Sequence, residues 1–446
     1  MAKRVTALKC PQCGSVKKQS IKEDHYICNH CDTEYFLDND DINVNINHHH
    51  KRTSWGNTKE LTPTTIGVGI GAVLILIFFG FSEFLSNSTV RPQPKEDNYS
   101  QYAREQILYN GSDGSPKILL TVDRRYVGQG NRKSEYLFLF YDPIAERTIN
   151  TQKAPAQWGD NPTLYLRKFS DGVVYFIADK MNQVYKLDTL QNQMVEISGD
   201  LFSSKPELSS GVATVKFAND IYGDGFKIMT NDGKDFSYYP IADLIYADDK
   251  KFFEDAEQLH TLPAGAKDKN YYIFSRKSSS YPDEPPVQLI KYAYKEKPGY
   301  PIRLPYNAEW DDISDYDKGP FAKKKSLFRY SDHRISSYKD LTPGRAYFDP
   351  DIMYQEENRL YISALPNANP NNSRQIQKID TETGSVIWTY KPGSTQSNIN
   401  DLTVANGMVG FHYSGSQSER FYKYLLLNDK DGTLIKEIDL DNFRLK

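Results

Sequence analysis

Ile379-Asp380-Thr381-Glu382-Thr383-Gly384-Ser385-Val386-Ile387-Trp388-Thr389-Tyr390 reads as the end of one strand, a turn and a second strand. Asp suits the start of the turn because its side chain can accept backbone N–H groups. Gly suits the end because it tolerates left-handed backbone. The same step recurs in weaker form at Lys186-Leu187-Asp188 with Asn192, and at Leu427-Asn428-Asp429 with Gly432. A turn that returns at intervals points to a repeated unit.

Working outward, alternating runs rich in Tyr, Phe, Val and Ile stand at 135–141, 173–178, 183–188, 194–197, 226–230 and 236–239. More follow at 271–276, 287–294, 359–364, 375–380, 385–390, 408–413, 421–428 and 433–438. Gly, Asn, Asp and Pro clusters separate them, and helical periodicity is scarce, so the region is mainly β. Strand repeats of roughly 40–55 residues signal a β-propeller, whose closure protects each sheet edge. The span 106–446 accommodates about six to eight such blades, and seven is the expectation, with stacked β-sandwiches as the rival fold.

The quoted stretch resembles a quinoprotein-type propeller repeat, in which Asp and Gly shape the turn and Trp packs between blades. Only this repeat has the full pattern. Quinoprotein dehydrogenases typically present an adjacent cysteine pair to their cofactor, and no cysteine lies beyond Cys31. The resemblance therefore implies the fold without an organic cofactor. Trp310-Asp311 has the WD dipeptide, but its acidic, turn-like surroundings make that a coincidence.

All four cysteines of the 446 residues lie at the amino-terminal end, as Cys10-Pro11-Gln12-Cys13-Gly14 and Cys28-Asn29-His30-Cys31-Asp32. Two C-x-x-C knuckles can bring four thiolates to one tetrahedral zinc. Residues 16–21 and 25–27 supply short strands beside them. The segment resembles a CPxCG-type zinc ribbon, and the domain is drawn at 1–37. Four thiolates leave no open coordination position, so the zinc is structural and His25 and His30 are bystanders. So small a segment depends on the metal for about 10 kcal/mol of folding free energy. A redox dithiol or an iron site is the alternative. Nine Lys/Arg face eight Asp/Glu in residues 1–60, with Lys17-Lys18 among the few dense spots, so the composition favours protein contact over nucleic acid.

Residues 38–63, with His48-His49-His50, read as a flexible linker. Residues 64–85 hold a single charge, Glu83, and would form about 33 Å of helix, enough for one membrane span. The span begins after a metal domain, so it reads as a retained anchor. Lys and Arg are balanced on its flanks, so thiol chemistry sets the orientation. Zinc-bound cysteines belong in a reducing cytosol, and the cysteine-free remainder belongs outside. The expected location is a bacterial inner membrane, N-terminus cytoplasmic. Gly67 and Gly71 form a small-xxx-small pair that could dimerise the span. Residues 86–105 read as a stalk.

The net charge of −3 argues against a chain-wide nucleic-acid surface. The acids Asp311, Asp312, Asp315 and Asp317 miss the register of a calcium loop and read as a solvated loop. His260, His333 and His412 are isolated, and no nucleophile elbow or zincin helix is present. The expectation is a propeller that binds a protein or glycan partner more readily than it catalyses, with tyrosines as strand residues. The alternatives are a signalling protein whose ribbon contacts a cytosolic partner or nucleic acid, and a membrane-anchored hydrolase or degenerate quinoprotein. Converging carboxylates in the channel would favour the enzyme.

Overall fold

The computed structural model describes residues 10, 15–22, 25–29, 34–36, 99–126, 134–158, 163–285, 287–314, 319, 322–328, 334–356, 358–393, 398–415 and 421–441. The expected span 64–85, with Gly67 and Gly71, lies outside them. Among the described residues no helix is long and apolar enough to cross a membrane.

Strands β1 (Lys18–Lys22), β2 (His25–Cys28) and β3 (Glu34–Phe36) form one antiparallel sheet in that order. From Tyr99 onward the described residues form six blade sheets in chain order and one separate two-stranded hairpin. Blade 1 is β4 (Tyr99–Asn110), β5 (Pro116–Tyr126), β6 (Glu135–Asp142) and β7 (Arg147–Lys153). Blade 2 is β8 (Leu164–Lys168), β9 (Val174–Ala178), β10 (Val184–Asp188) and β11 (Gln193–Glu196). Blade 3 is β12 (Val212–Phe217), β13 (Phe226–Thr230), β14 (Asp235–Tyr239) and β15 (Leu244–Tyr246). Blade 4 starts with β16 (Lys267–Phe274) and β17 (Leu289–Glu296). A separate hairpin of β18 (Asp311–Ser314) and β19 (Lys323–Ser326) intervenes before β20 (Ile335–Asp340) completes the sheet. Blade 5 is β21 (Phe348–Glu356), β22 (Arg359–Leu365), β23 (Gln375–Ile379) and β24 (Val386–Tyr390). Blade 6 is β25 (Asn398–Ala405), β26 (Met408–Ser414), β27 (Tyr422–Asn428) and β28 (Leu434–Asp439).

The propeller therefore has six blades, not the expected seven. Blade 4 holds three strands plus an inserted hairpin, so its longer stretch of chain inflates a count made from repeat length. The boundary at 106 also moves. Residues 99–105, expected in the stalk, form the start of β4, and Tyr99–Ala103 pair with β5.

Apolar clusters fill the spaces between sheets. Phe138, Phe140, Trp158 and Phe176 join blades 1 and 2. Tyr175, Ile177, Phe226 and Ile228 join blades 2 and 3. Backbone bonds from Ile302 and Leu304 to Tyr222 and Ile221 link the blade 3 and blade 4 segments. Leu289, Leu341, Leu360 and Ile379 join blades 4 and 5, and Trp388, Ile399, Phe411 and Leu425 join 5 and 6. Leu120, Leu139, Met408 and Leu426 join blade 6 back to blade 1. Each such side chain contributes about 1.5–3 kcal/mol on full burial.

Among the described residues no strand is shared between the first and last blades. The ring closes through that apolar seam, the bridge Tyr102↔Asp441 and a 3.4 Å bond from Ala103 N–H to the Leu440 carbonyl.

The turn that opened the reading is built as expected. Asp380 Oδ1 accepts N–H bonds from Glu382 (3.0 Å) and Thr383 (2.7 Å), and Gly384 has φ 72°. Those bonds, the one from Thr383 first, hold the Asp380 carboxyl below its usual range. A Cβ at Gly384 would stand 2.2 Å from the Leu341 carbonyl oxygen. Trp388 is buried and donates to the Asp429 carbonyl of blade 6 at 2.9 Å, so it packs between blades. Lys378 reaches the same turn, 2.6 Å from the Asp429 carboxylate.

Candidate functional site

The first strand of each sheet is the inner one, and β4, β8, β21 and β25 adjoin one another around the channel. These strands are more polar than their neighbours, and three of them carry β-bulges. The register of β4 shifts between Ala103 and Gln106, that of β21 between Phe348 and Asp351, and that of β25 between Asn400 and Thr403. Each bulge holds an acid: Glu105, Asp349 and Asp401, the last two at φ 45° and 53°. A bulge re-aims a side chain out of the strand's alternation. Glu105 and Asp401 line the cavity described next, whereas Asp349 is ion-paired to Arg374 of its own blade.

A cavity of about 270 Å³ opens between β4, β8, β21 and β25, with Glu105, Leu166, Lys168, Tyr354, Asp401 and Thr403 among its walls. The Glu105 backbone is fixed by a 2.9 Å bond from its N–H to Thr121 Oγ1. Thr403 Oγ1 accepts from Leu108 N–H at 3.2 Å, which ties blade 6 to blade 1 at the cavity floor. Burial, and secondarily the negative charge of Asp401, push the Glu105 carboxyl up to about 7. His412, on β26 and paired with Asn400, stacks on Tyr422 with ring centroids 5.8 Å apart. Burial lowers its pKa against the opposing pull of Asp401, so the ring favours the neutral form.

Charge is divided across the channel. Inner strands β8, β12 and β16 carry five basic residues against one acid. Inner strands β21, β25 and β4 carry five acids against one base. Arg167 is occupied with structure, donating to the Ala218 and Gly223 carbonyls at 2.7 and 2.9 Å and lying 3.1 Å from Asp220. Lys168 instead reaches across. Its Nζ is 3.8 Å from Glu356 Oε1, so the pair joins blade 2 to blade 5, which stand opposite one another in a ring of six. Tyr354 donates its hydroxyl to Glu356, and Arg359 lies 3.6 Å from the other carboxylate oxygen. An apolar floor, a carboxyl raised by burial beside a second carboxylate, and a cross-channel ion pair can hold a small charged ligand or exchange a proton with it.

Of the expected zinc ligands, Cys10 and Cys28 are buried and pack together with Tyr26. Cys28 ends β2 opposite Lys18, and Cys10 N–H bonds the Ser15 carbonyl at 2.8 Å. Cys13 and Cys31 lie outside the described residues, and among those described no group of three or more potential ligands gathers.

The acidic run is not the solvated loop expected from sequence. Asp311 and Asp312 sit in β18 opposite Ser326 and Lys325, and Asp312 accepts a 2.5 Å bond from Tyr281. Asp315, Asp317 and His333 lie outside the described residues, and His260 is exposed. Glu105, Asp401, Lys168 and Glu356 were missed by sequence reasoning. Their signal was a short, charged segment preceding each strongly apolar strand.

No family model matches the chain, and no curated protein matches it. Solved structures do show similarity. A dihydro-heme d1 dehydrogenase aligns at 8% identity and TM-score 0.23, over 76% of this chain and 57% of that one. The propeller domain of the Trilobed protease from Pyrococcus furiosus, described as having an open velcro topology, aligns at 10% identity and TM-score 0.31, over 76% and 98%. Virginiamycin B lyase from Staphylococcus aureus aligns at 13% identity and TM-score 0.22, over 76% and 88%. This chain thus spans a little over half of the first of these, and its six-bladed architecture rests on its own sheets.

Proposed function

We propose that the chain is a single-pass membrane protein whose extracytoplasmic propeller binds a protein or glycan partner at the inner-strand cavity. A cytosolic structural zinc, held by Cys10, Cys13, Cys28 and Cys31, folds the ribbon. The observation that supports the reading best is the cavity walled by four blades, in which Glu105 and Asp401 face the same space as Lys168. A rigid ring that converges charged side chains on an apolar floor is the usual build of a recognition site. The buried, adjacent Cys10 and Cys28 support the zinc, and the apolar run 64–85 supports the anchor.

The test is photocross-linking in the protein's own membrane. A photoreactive residue replacing Tyr165 on inner strand β8, 45% exposed, should give an adduct. The same residue replacing Leu190 on an outer turn, 76% exposed, should not. Equal yields from both positions, or none from either, would sink the reading.

One observation favours a second reading. A carboxyl held near 7 beside a second carboxylate is the arrangement that acid–base hydrolases use, one group donating a proton while the other stays charged. Glu105 would be the proton donor and Asp401 the charged partner. Glu105→Gln should then abolish turnover of a bound partner while binding persists; unchanged turnover removes this reading.

A further inference from the structure

The cross-channel pair is unusual among the propeller's ion pairs because its members come from opposite blades. Lys168 and Glu356 remain 41% and 45% exposed, so water screens the contact and it adds little to folding. Among the described residues neither Glu105 nor Asp401 is paired with a cation, although both line the cavity that Lys168 also lines. The cavity therefore presents an ammonium on one wall and carboxylates on the other, with Leu166, Leu402 and Val404 between them.

A neutral sugar can hydrogen-bond these groups but brings a counter-charge to none of them. A simple cation or anion would satisfy one wall only. A ligand with an ammonium at one end and a carboxylate at the other satisfies both. The volume, about 270 Å³, equals about nine waters and has room for a short peptide of small residues.

We propose that the channel cavity binds a short zwitterionic peptide, with its ammonium against Asp401 and Glu356 and its carboxylate against Lys168. The ligand opens the Lys168–Glu356 pair by supplying each member with a new partner, so no charge is stranded. This inference rests on the channel-binding reading and narrows its partner to peptide.

The experiment is ligand-observed NMR and calorimetric titration on the full chain in detergent. Four probe sets are compared: unblocked di- and tripeptides, their N-acetylated forms, their C-amidated forms and neutral disaccharides. Unblocked peptides should bind, and either cap should weaken binding at least tenfold. Lys168→Gln should make amidated and free peptides bind alike. Glu356→Gln should shrink the penalty for acetylation, an independent check should the first variant misfold. Caps without effect would overturn the proposal. Binding of disaccharides but not peptides would overturn it while leaving the channel-binding reading intact. Binding of no probe, with no adduct at position 165, would remove both.

Discussion

Replacing Glu105 by Gln should change how stability depends on pH, and the size of the change follows from the site. An ordinary glutamate titrates near 4.5, whereas Glu105 is raised to about 7. Between those values the folded protein holds a proton that the unfolded chain has lost. Stability from this group is therefore complete below 4.5, falls as pH rises through about 7, and stays low above it. A displacement of this size corresponds to a ceiling of about 3 kcal/mol, and partial exposure to solvent trims it to about 2 kcal/mol. Glutamine keeps the shape and cannot ionise. The variant should match the wild type near pH 4.5 and exceed it by about 2 kcal/mol near pH 8. Urea unfolding of both proteins, followed by tryptophan fluorescence across that range, measures the difference. Acids whose carboxyls are held low, such as Asp380, cancel in the comparison. Asp401→Asn should move the Glu105 midpoint downward by the smaller share, because burial is the larger cause. A difference between wild type and Glu105→Gln that stays constant with pH would refute the reasoning.

Three further outcomes are expected. Gly384→Ala should cost at least about 3 kcal/mol, from left-handed backbone plus the collision with Leu341, while Gly172→Ala, at φ 85° with open space around it, should cost about 1 kcal/mol; urea midpoints compare them. Lys378→Met should destabilise by about 3 kcal/mol because it leaves the Asp429 carboxylate no cation and only the Tyr361 hydroxyl, and adding Asp429→Asn should recover a good part of that in a double-mutant cycle. The full chain should bind one zinc per molecule by elemental analysis, and Cys28→Ser should lower that content and expose residues 10–36 to protease without shifting the propeller's unfolding midpoint.

What could be read from the sequence follows burial. Middle strands such as β6, β9, β22 and β27 are covered on both faces by neighbouring blades, so they are nearly continuous apolar runs and stood out at once. Inner strands β8, β21 and β25 have one edge on the channel and mix charge with apolar residues, so neither a clean alternation nor an apolar run marks them. Outer strand β7, with alternating half-exposed residues Arg147–Lys153, was hidden for the same reason. The site lies on the strands that were hardest to see. Glu105 was assigned to a stalk because its polar surroundings, Arg104 and Gln106, look like a linker until β5 pairs with them. Bulges added a second obstacle, since they break the period that strand reading depends on. The Asp380 turn, by contrast, is local chemistry and needed no tertiary knowledge.

The seam between blades 1 and 6 has a mechanical consequence. Any pull arriving along the chain from its amino-terminal side enters the propeller at Tyr99, and the Tyr102↔Asp441 bridge lies only three residues further on. Because among the described residues no strand is interlaced between the two sheets, load across the seam falls on side-chain packing and isolated hydrogen bonds. That seam lies beside the wall where Glu105 and Asp401 meet.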